Sequence, residues 1–396
     1  MKRRATRQIQ VGTVPPGGDT PGAVQSMTTT CTRDAQAPGA IKRLIHLPLI
    51  ADIHYNGKLG LLAIEQGMDA VRINPGNLPG GRETFSGIVT AAREAGIALC
   101  IGVNSGSLDG RQKRKVAMER RDAGTVRRSD PTEQRRRERE RLVGRMVAHA
   151  LEYCGWAEDP GFSTYKVSLK SSNMLTAIAA YRQFAAACDV PVYPGISEAG
   201  TLVSGAVKAM VGFSQLPGDG RGDTIQVSPT AEPEEESPVA YEILRALELR
   251  QRGVTFVSCP SCGRVEIDVL TIASEVEKRL SRVRTPIQVA VMVCVVNGPG
   301  ESRNADVGLT GGRGKGVIYR KGQVVKTVPE SDFLAEALKE IAYLLSPHEA
   351  RLIYPGDGSP GPLSPGRTRQ SSTKPIVATA RLRGVARPLL AQREVP

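Results

Sequence analysis

The chain has 396 residues, of which 40% are hydrophobic and only 4% aromatic, with a formal net charge of +13. That length accommodates two domains, or one large barrel and a smaller domain, with a core packed mainly from Val, Ile, Leu and Ala. No apolar run approaches the roughly 18 residues of a membrane span, and the basic start "MKRRATRQIQVGTVPPGG" has no apolar h-region, so a cytoplasmic protein without a secretory signal is expected.

Seven cysteines in so long a chain exclude a disulfide framework. The charge is unevenly placed. Residues 111–145 hold 14 Lys/Arg against 6 Asp/Glu, and residues 351–396 hold 8 against 2, so the remainder is nearly neutral. A nucleic-acid-binding reading would rest on those two segments, and neither has interleaved aromatics or a reader motif.

In chain order, short apolar runs alternate with helical patterns. "LPLIADIH" (47–54) reads as a strand, "KLGLLAIEQG" (58–67) as a helix stopped by Gly67, and "DAVRINPGN" (69–77) as a strand and turn. A helix over 84–96, a strand from 97 and a charged insert at 111–145 follow, the insert becoming a solvated helix from Asp130 and Pro131. Strands at 164–172, 191–200 and 223–231 then alternate with helices at 174–188, 204–216 and 240–253. Strand–helix units in such a series indicate an α/β fold with a parallel sheet, and their number favours a TIM-type barrel. The strands end in polar residues: Asp52 and His54, Arg72 and Asn74, Asn104, Lys166, Glu198 and Ser228. In a βα-barrel those ends share one mouth, so these residues are expected to converge.

From residue 254 the pattern changes. A strand leads into "SCPSCGR" (258–264), a helix follows, and a strongly apolar strand runs into "CVVNGPGE" (294–301), read as a tight turn. A hairpin with a Lys-Gly turn and a helix capped by Ser331 complete a small α+β module. The domains expected are a barrel over 1–253, the α+β domain over 254–350, and a Pro/Gly/Ser-rich basic tail over 351–396 read as disordered.

Cys31, Cys100, Cys154 and Cys188 are scattered singly and read as incidental thiols. Cys259, Cys262 and Cys294 differ. A C-x-x-C turn directs two sulfurs to one centre, and a third arrives from the end of a neighbouring strand. Three thiolates suggest zinc or an iron–sulfur cluster. Structural zinc wants a fourth Cys or His, and the nearest histidine in sequence, His348, lies at the far end of the module. Three thiolates with one labile or oxygen ligand suit a catalytic iron–sulfur cluster better.

At this point the chain resembles the 4-hydroxy-3-methylbut-2-en-1-yl diphosphate synthases, the iron–sulfur reductases of the methylerythritol phosphate route to isoprenoids. The resemblance is carried by "VGTVPPGG", "AVQSMTTT", "PLIADIH", "VRINPGN", "IGVNSGSL", "YKVSLKSS", "GISEAG", "SGAVKAMVGF", "GDTIQVS", "CPSCGR" and "CVVNGPGE", in the family's order over most of residues 1–350. It implies a [4Fe–4S] cluster held by Cys259, Cys262, Cys294 and Glu301, with the carboxylate as the exchangeable ligand. It implies Glu198 as proton donor, His54 and Asn297 as polar wall residues, and Arg72, Asn104, Lys166 and Ser228 as substrate-binding residues. The implied substrate is 2-C-methyl-D-erythritol 2,4-cyclodiphosphate, reduced with electrons from flavodoxin or ferredoxin. The family's homodimer, in which one subunit's cluster domain closes over the other's barrel, is implied as well.

The chain departs from that family in the barrel. The segment between "MTTTCTRDA" and "IHLPLIADIH" is shorter by about one βα unit, so the expected barrel lacks one strand. Cys100 and Gln226 stand where the family carries arginine, and a third arginine belongs to the absent segment. A working synthase with an altered barrel fits the ordered motifs best. The alternatives are a relative that keeps the cluster for electron transfer or sensing but turns the substrate over poorly, and a binding protein acting through its basic insert and tail.

Overall fold

The computed structural model describes residues 4–28, 47–108, 130–196, 199–216, 222–260, 262, 265, 267–294, 296–312 and 314–354, and the backbone of 377–382. The chain divides into two compact units, one of Met1–Arg250 with Thr373–Pro396, the other of Gln251–Ser372. Among the described residues no helix is long and apolar enough to cross a membrane.

The first unit is built on a parallel sheet of β1 (Ala23–Thr28), β2 (Leu49–Ile53), β3 (Ala70–Ile73), β4 (Ala98–Asn104), β5 (Tyr165–Lys170), β6 (Gly195–Ile196) and β7 (Thr224–Val227). Crossovers between these strands carry α1 (Gly57–Glu65), α2 (Arg82–Glu94), α3 (Pro131–Glu158), α4 (Met174–Ala187) and α5 (Leu202–Gln215), and α6 (Pro233–Ala246) follows β7. The strands β2 to β5 and β7 are buried along almost their whole length, as expected of a parallel sheet covered on both faces.

Local signals start the helices where the sequence places them. Asn56 accepts from the Lys58 amide to cap α1, Asp130 accepts from Thr132 with Pro131 in the first turn of α3, and Asn173 accepts from Thr176 to cap α4. The charged start of α3 is solvent-exposed and laced by Glu133–Arg136, Glu133–Arg137 and Arg136–Glu140 pairs. The remainder of the insert lies outside the described residues, as does the shortened junction after "MTTT". Helix α6 spans 233–246 rather than 240–253, because Pro233 opens it and the acidic run Glu234–Glu236 suits its N-terminal dipole.

Between the sheet and the helices, Leu49, Ile53, Val71, Leu99, Val103, Leu169, Phe85, Met146, Tyr165 and Phe184 form one continuous core. A second cluster fills the N-terminal end of the sheet's inner side. There Ile9, Val11 and Val14 pack on Ala23, Ala70 and Ala98, the first residues of β1, β3 and β4. Burying each such Val or Ile contributes roughly 1.5–3 kcal/mol, so the "VGTV" segment acts as a plug at the end opposite the strands' C-termini.

The strand order is β5-β4-β3-β2-β13-β1-β7-β6, where β13 is Val377–Leu382. Six residues of the tail read from the sequence as disordered over 351–396 are described as a parallel strand between β1 and β2, and 355–376 and 383–396 lie outside the described residues. The two outer strands also approach each other. Val167 in β5 forms an isolated parallel bridge with Val192, with Val167 donating to the Pro191 carbonyl at 3.0 Å and accepting from Tyr193 at 2.8 Å. The continuous ladder is open, and this bridge joins its ends.

The second unit contains β8 (Val254–Ser258), α7 (Val269–Leu280), β9 (Ile287–Met292), α8 (Gly298–Asn304), β10 (Val307–Gly312), β11 (Lys315–Arg320), β12 (Gln323–Pro329), α9 (Glu330–Ala342) and α10 (Pro347–Ile353). Its sheet runs β12-β11-β10-β9-β8, parallel across β8, β9 and β10 and antiparallel across β10, β11 and β12. Lys321 and Gly322 both take positive φ in the two-residue turn between β11 and β12, as the Lys-Gly pair predicts. Two expectations change. Helix α9 starts at Glu330 behind Pro329, so Ser331 is inside the helix and is not its cap. "GPGESRN" is a short helix, α8, rather than a tight turn, and Ser302 on it bonds Thr310 of β10 at 2.8 Å.

Candidate active site

Asp52, Arg72, Cys100 and Lys166 occupy one register row across β2, β3, β4 and β5. Residues at one register position share a face of a pleated sheet, and this row lies on the inner side. Arg72 donates to Asp52 Oδ1 at 2.6 Å, and His54 Nε2 stands 3.3 Å from the same oxygen. Burial alone would raise the Asp52 carboxyl, but the charges of Arg72 and His54 outweigh it and hold Asp52 well below the usual carboxylate range. Gly102 leaves room for this pair, since a Cβ there would lie 3.0 Å from Arg72 Nη2.

Lys166 is fully buried. Its ammonium donates to Gln25 Oε1 at 3.1 Å and to Thr224 Oγ1 at 3.3 Å, and lies over the Tyr193 ring. Burial lowers its pKa below the ordinary lysine value. Lys170, two pleats further along β5, donates to Gln226 Oε1 at 3.1 Å and also faces Tyr193. Tyr193 donates to Gln226 and accepts from Gln25. Gln25, Lys166, Lys170, Tyr193 and Gln226 thus form one buried polar network.

Lys170, Tyr193 and Gln25 were not among the candidates drawn from the sequence. A signal for Lys170 existed, because it is four residues after Lys166 and a period of two keeps both on one face. Tyr193 and Gln25 are recognisable only once the sheet has curled. Of the sequence candidates, Asn74 serves its own turn by accepting from the Gly76 amide. Asn104 precedes the turn Ser105–Ser107 at the end of β4. Ser228 follows β7, and its Oγ has no protein partner among the described residues, nor have Arg72 Nε and Ser168 Oγ. Glu198 lies outside the described residues.

In the second unit Cys259 follows the last residue of β8 and Cys294 lies two residues beyond β9. These strands are paired in parallel up to Ser258 and Val291, so both thiols leave the same end of the sheet. The Cys259 amide donates to the Val291 carbonyl at 3.0 Å. The Cys262 amide donates to Pro260 at 2.8 Å, folding the C-x-x-C segment back on itself. Gly298 donates to the Cys294 carbonyl, joining that thiol's loop to α8, whose first turn carries Glu301 beside an exposed Asn297. None of the three cysteines forms a disulfide among the described residues. Among the described residues no three His, Cys, Asp or Glu side chains are gathered at metal-binding distance. Cys259 and Cys294 thus leave one end of the sheet, with Cys262 three residues beyond Cys259 and Glu301 on the helix that follows Cys294.

A parallel α/β sheet with a cationic interior, joined in one chain to an α+β module with three thiols at one sheet end, defines a two-domain protein of the βα-barrel class. Residues 34–241 match the GcpE TIM-barrel domain and residues 255–343 the GcpE protein C-terminal domain. The chain is 42% identical over 369 residues to the 4-hydroxy-3-methylbut-2-en-1-yl diphosphate synthase (flavodoxin) of Geobacter sulfurreducens, covering 86% of this chain and 98% of that protein. It is 43% identical over 374 residues to the synthase of Maridesulfovibrio salexigens, covering 87% and 98%, and 40% identical over 378 residues to that of Bacillus subtilis, covering 88% and 94%. The chain belongs to the GcpE family of 4-hydroxy-3-methylbut-2-en-1-yl diphosphate synthases.

Proposed function

We propose that this chain reduces 2-C-methyl-D-erythritol 2,4-cyclodiphosphate to 4-hydroxy-3-methylbut-2-enyl diphosphate, with flavodoxin or ferredoxin as electron donor. The reaction consumes an electron pair, opens the cyclic diphosphate and expels the tertiary hydroxyl as water. Beyond the family relationship, the observation that supports it is the buried interior of the first unit. Arg72, Lys166 and Lys170 are held there, while Asp52 is already engaged by Arg72 and Asp223 by the Val192 amide. Three cationic side chains thus line one interior, and charge-assisted bonds to phosphate are the strong kind.

In this reading Arg72 presents its unpaired Nε, and Lys166 and Lys170 their ammonium groups, to the phosphates, with Ser228 and Asn104 as neutral partners. Tyr193 and Gln226 keep the two lysines apart and oriented. Asp52 fixes Arg72 and keeps His54 beside it. Glu198 delivers the proton to the departing hydroxyl. Cys259, Cys262, Cys294 and Glu301 would hold a [4Fe–4S] cluster, which when bound supplies single electrons and a Lewis-acidic iron. The proposal includes a cytoplasmic homodimer, on the family resemblance.

The test is anaerobic reconstitution followed by turnover. The expected result is a brown protein with about four iron per chain that consumes the cyclodiphosphate when a dithionite-reduced dye supplies electrons. A colourless, iron-free chain would exclude the cluster. A fully loaded chain that leaves the cyclodiphosphate intact would favour the second reading, a cluster protein for electron transfer or sensing, which Cys100 and Gln226 at the family's arginine positions support.

A further inference from the structure

We propose that Ser168 and Gln226 are substrate-positioning residues which, with Arg72, form a buried cradle of hydrogen-bond donors for one phosphate group. That this phosphate belongs to the cyclodiphosphate rests on the function proposed above; the cradle does not.

Lysine fixes the direction of the bonds in the buried network, because an ammonium only donates. Lys166 donates to Gln25 Oε1, which leaves the Gln25 amide nitrogen to donate to the Tyr193 oxygen. The Tyr193 hydroxyl donates in turn to Gln226 Oε1, which also accepts from Lys170. The Gln226 oxygen is thus taken twice, and its buried Nε2 meets no acceptor among the described residues. Arg72 has the same surplus: Nη1 is bound to Asp52, while Nε has no acceptor. Ser168 is fully buried, and its hydroxyl has no partner among the described residues. Two of these three groups can only donate, and the third can donate. Buried donors left unpaired are costly, and a ligand rich in acceptor oxygens removes that cost.

The three groups face one interior. Tyr165, Val167 and Leu169 of β5 pack in the core beneath the helices, so Lys166, Ser168 and Lys170 take the opposite face. Ser168 is in register with Gly102 on β4. The Arg72 guanidinium lies on that glycine, where a Cβ would stand 3.0 Å from Nη2 and 3.4 Å from Nε. One bare strand position therefore separates the Ser168 hydroxyl from Arg72. Lys170 joins β5 to Gln226 through its 3.1 Å bond. Gly195, in register with Gln226, makes room for it, since a Cβ there would stand 3.1 Å from Lys170 Cε. A phosphate lodged over Gly102 meets Arg72 from β3 and Ser168 from β5, with Lys170 and Gln226 on the far side. The planar donors of Arg72 suit such a group. At a position where the family carries arginine, the Gln226 amide keeps a donor without the charge. The competing role is structural, with the three groups holding fixed internal water and no ligand.

The test uses the full chain after anaerobic reconstitution and compares wild type with Ser168→Ala and Gln226→Glu. Titration calorimetry reads inorganic pyrophosphate binding, scanning calorimetry the thermal midpoint, and steady-state kinetics KM and kcat for the cyclodiphosphate. Ser168→Ala deletes a hydroxyl without a protein partner, so the midpoint is expected to hold or rise. The same change is expected to weaken pyrophosphate binding about 10-fold, as loss of one hydrogen bond to a charged group would. KM should rise by a like factor with kcat unchanged. Gln226→Glu keeps an oxygen for Lys170 and Tyr193 and replaces the spare donor by an acceptor. Its pyrophosphate binding is expected to fall about 10-fold or more at a wild-type midpoint. A wild type that binds no pyrophosphate, or a Ser168→Ala chain that binds it as wild type does, would overturn the cradle. Should Ser168→Ala lose both binding and midpoint, Gln226→Glu decides: weak binding at a wild-type midpoint supports the cradle, and any other result overturns it. Pyrophosphate binding that depends on Ser168, in a loaded chain that reduces no cyclodiphosphate, would sink the proposed reaction and leave the cradle standing. Turnover with an unchanged KM in Ser168→Ala would do the reverse.

Discussion

Lys166 on β5 donates to Gln25 on β1 at 3.1 Å, although the two strands stand five places apart in the sheet. The bond crosses the interior, so the sheet must curl until its distant strands face each other. It also leaves a desolvated ammonium with neutral partners. Replacement by methionine removes that ammonium at nearly constant volume. Lys166→Met is expected to hold or raise the thermal midpoint while raising KM about 10-fold or more. Calorimetry and steady-state kinetics on the same preparation check both halves.

The same residue predicts a pH dependence. Burial depresses the Lys166 pKa from its ordinary 10.5. The cost of burying it charged is therefore complete below the depressed value and fades as pH rises towards 10.5. Wild type should gain stability relative to Lys166→Met across that window. A bound diphosphate favours the charged amine, so binding should take up protons and weaken with rising pH. Titration calorimetry in buffers of different ionisation heat reads the uptake, which Lys166→Met should abolish.

Asp52→Asn tests the ion pair beneath the site. It leaves Arg72 buried without its carboxylate, which costs on the order of 3–5 kcal/mol. The depressed Asp52 pKa means the contribution is complete above its ordinary 3.8 and is lost as pH falls below that towards the folded-state value. Urea unfolding of wild type and variant at pH 7 should show the full difference, and the gap should narrow in acid.

The cysteines separate into two groups. Burial pushes the Cys154 thiol up to about 12 and raises Cys100 too, so both remain protonated and unsuited to iron. Serine at 259, 262 or 294 is expected to cut bound iron several-fold after reconstitution. Serine at 154 should leave it unchanged. Iron content and visible absorbance measure this.

In the second unit Glu349 on α10 accepts from the Arg284 and Thr285 amides and from the Thr285 hydroxyl. Burial would raise its pKa, but these bonds prevail and lower it. Glu349→Ala should destabilise this unit by about 1.5–3 kcal/mol at neutral pH. The wild-type advantage should shrink as acid protonates the carboxylate. Chemical denaturation at pH 7 and pH 4 provides the comparison.

Much of this architecture was legible in local pattern. Apolar runs bounded by Gly and Asn located β2 to β5 and their helices, because burial on both faces of a parallel strand demands continuous hydrophobicity. The C-x-x-C turn and the later Cys294 marked one sheet end, because their spacing places each at a strand terminus. "NGPGE" misled as a turn. Proline at the second position of α8 is permitted in a first helical turn, and α8 docks on β10, a strand the pattern did not reveal.

Sequence alone determined where β2 to β5 run and that α3 begins at Asp130 and Pro131, since these depend on neighbours within a few residues. Tertiary structure decided which buried lysine meets which glutamine, and that "VATARL" in a basic tail pairs between β1 and β2. Strand pairing is set by which backbone edge is unsatisfied and which face is buried. An edge left by residues 28 and 49 is visible to residue 377 only when the chain has folded.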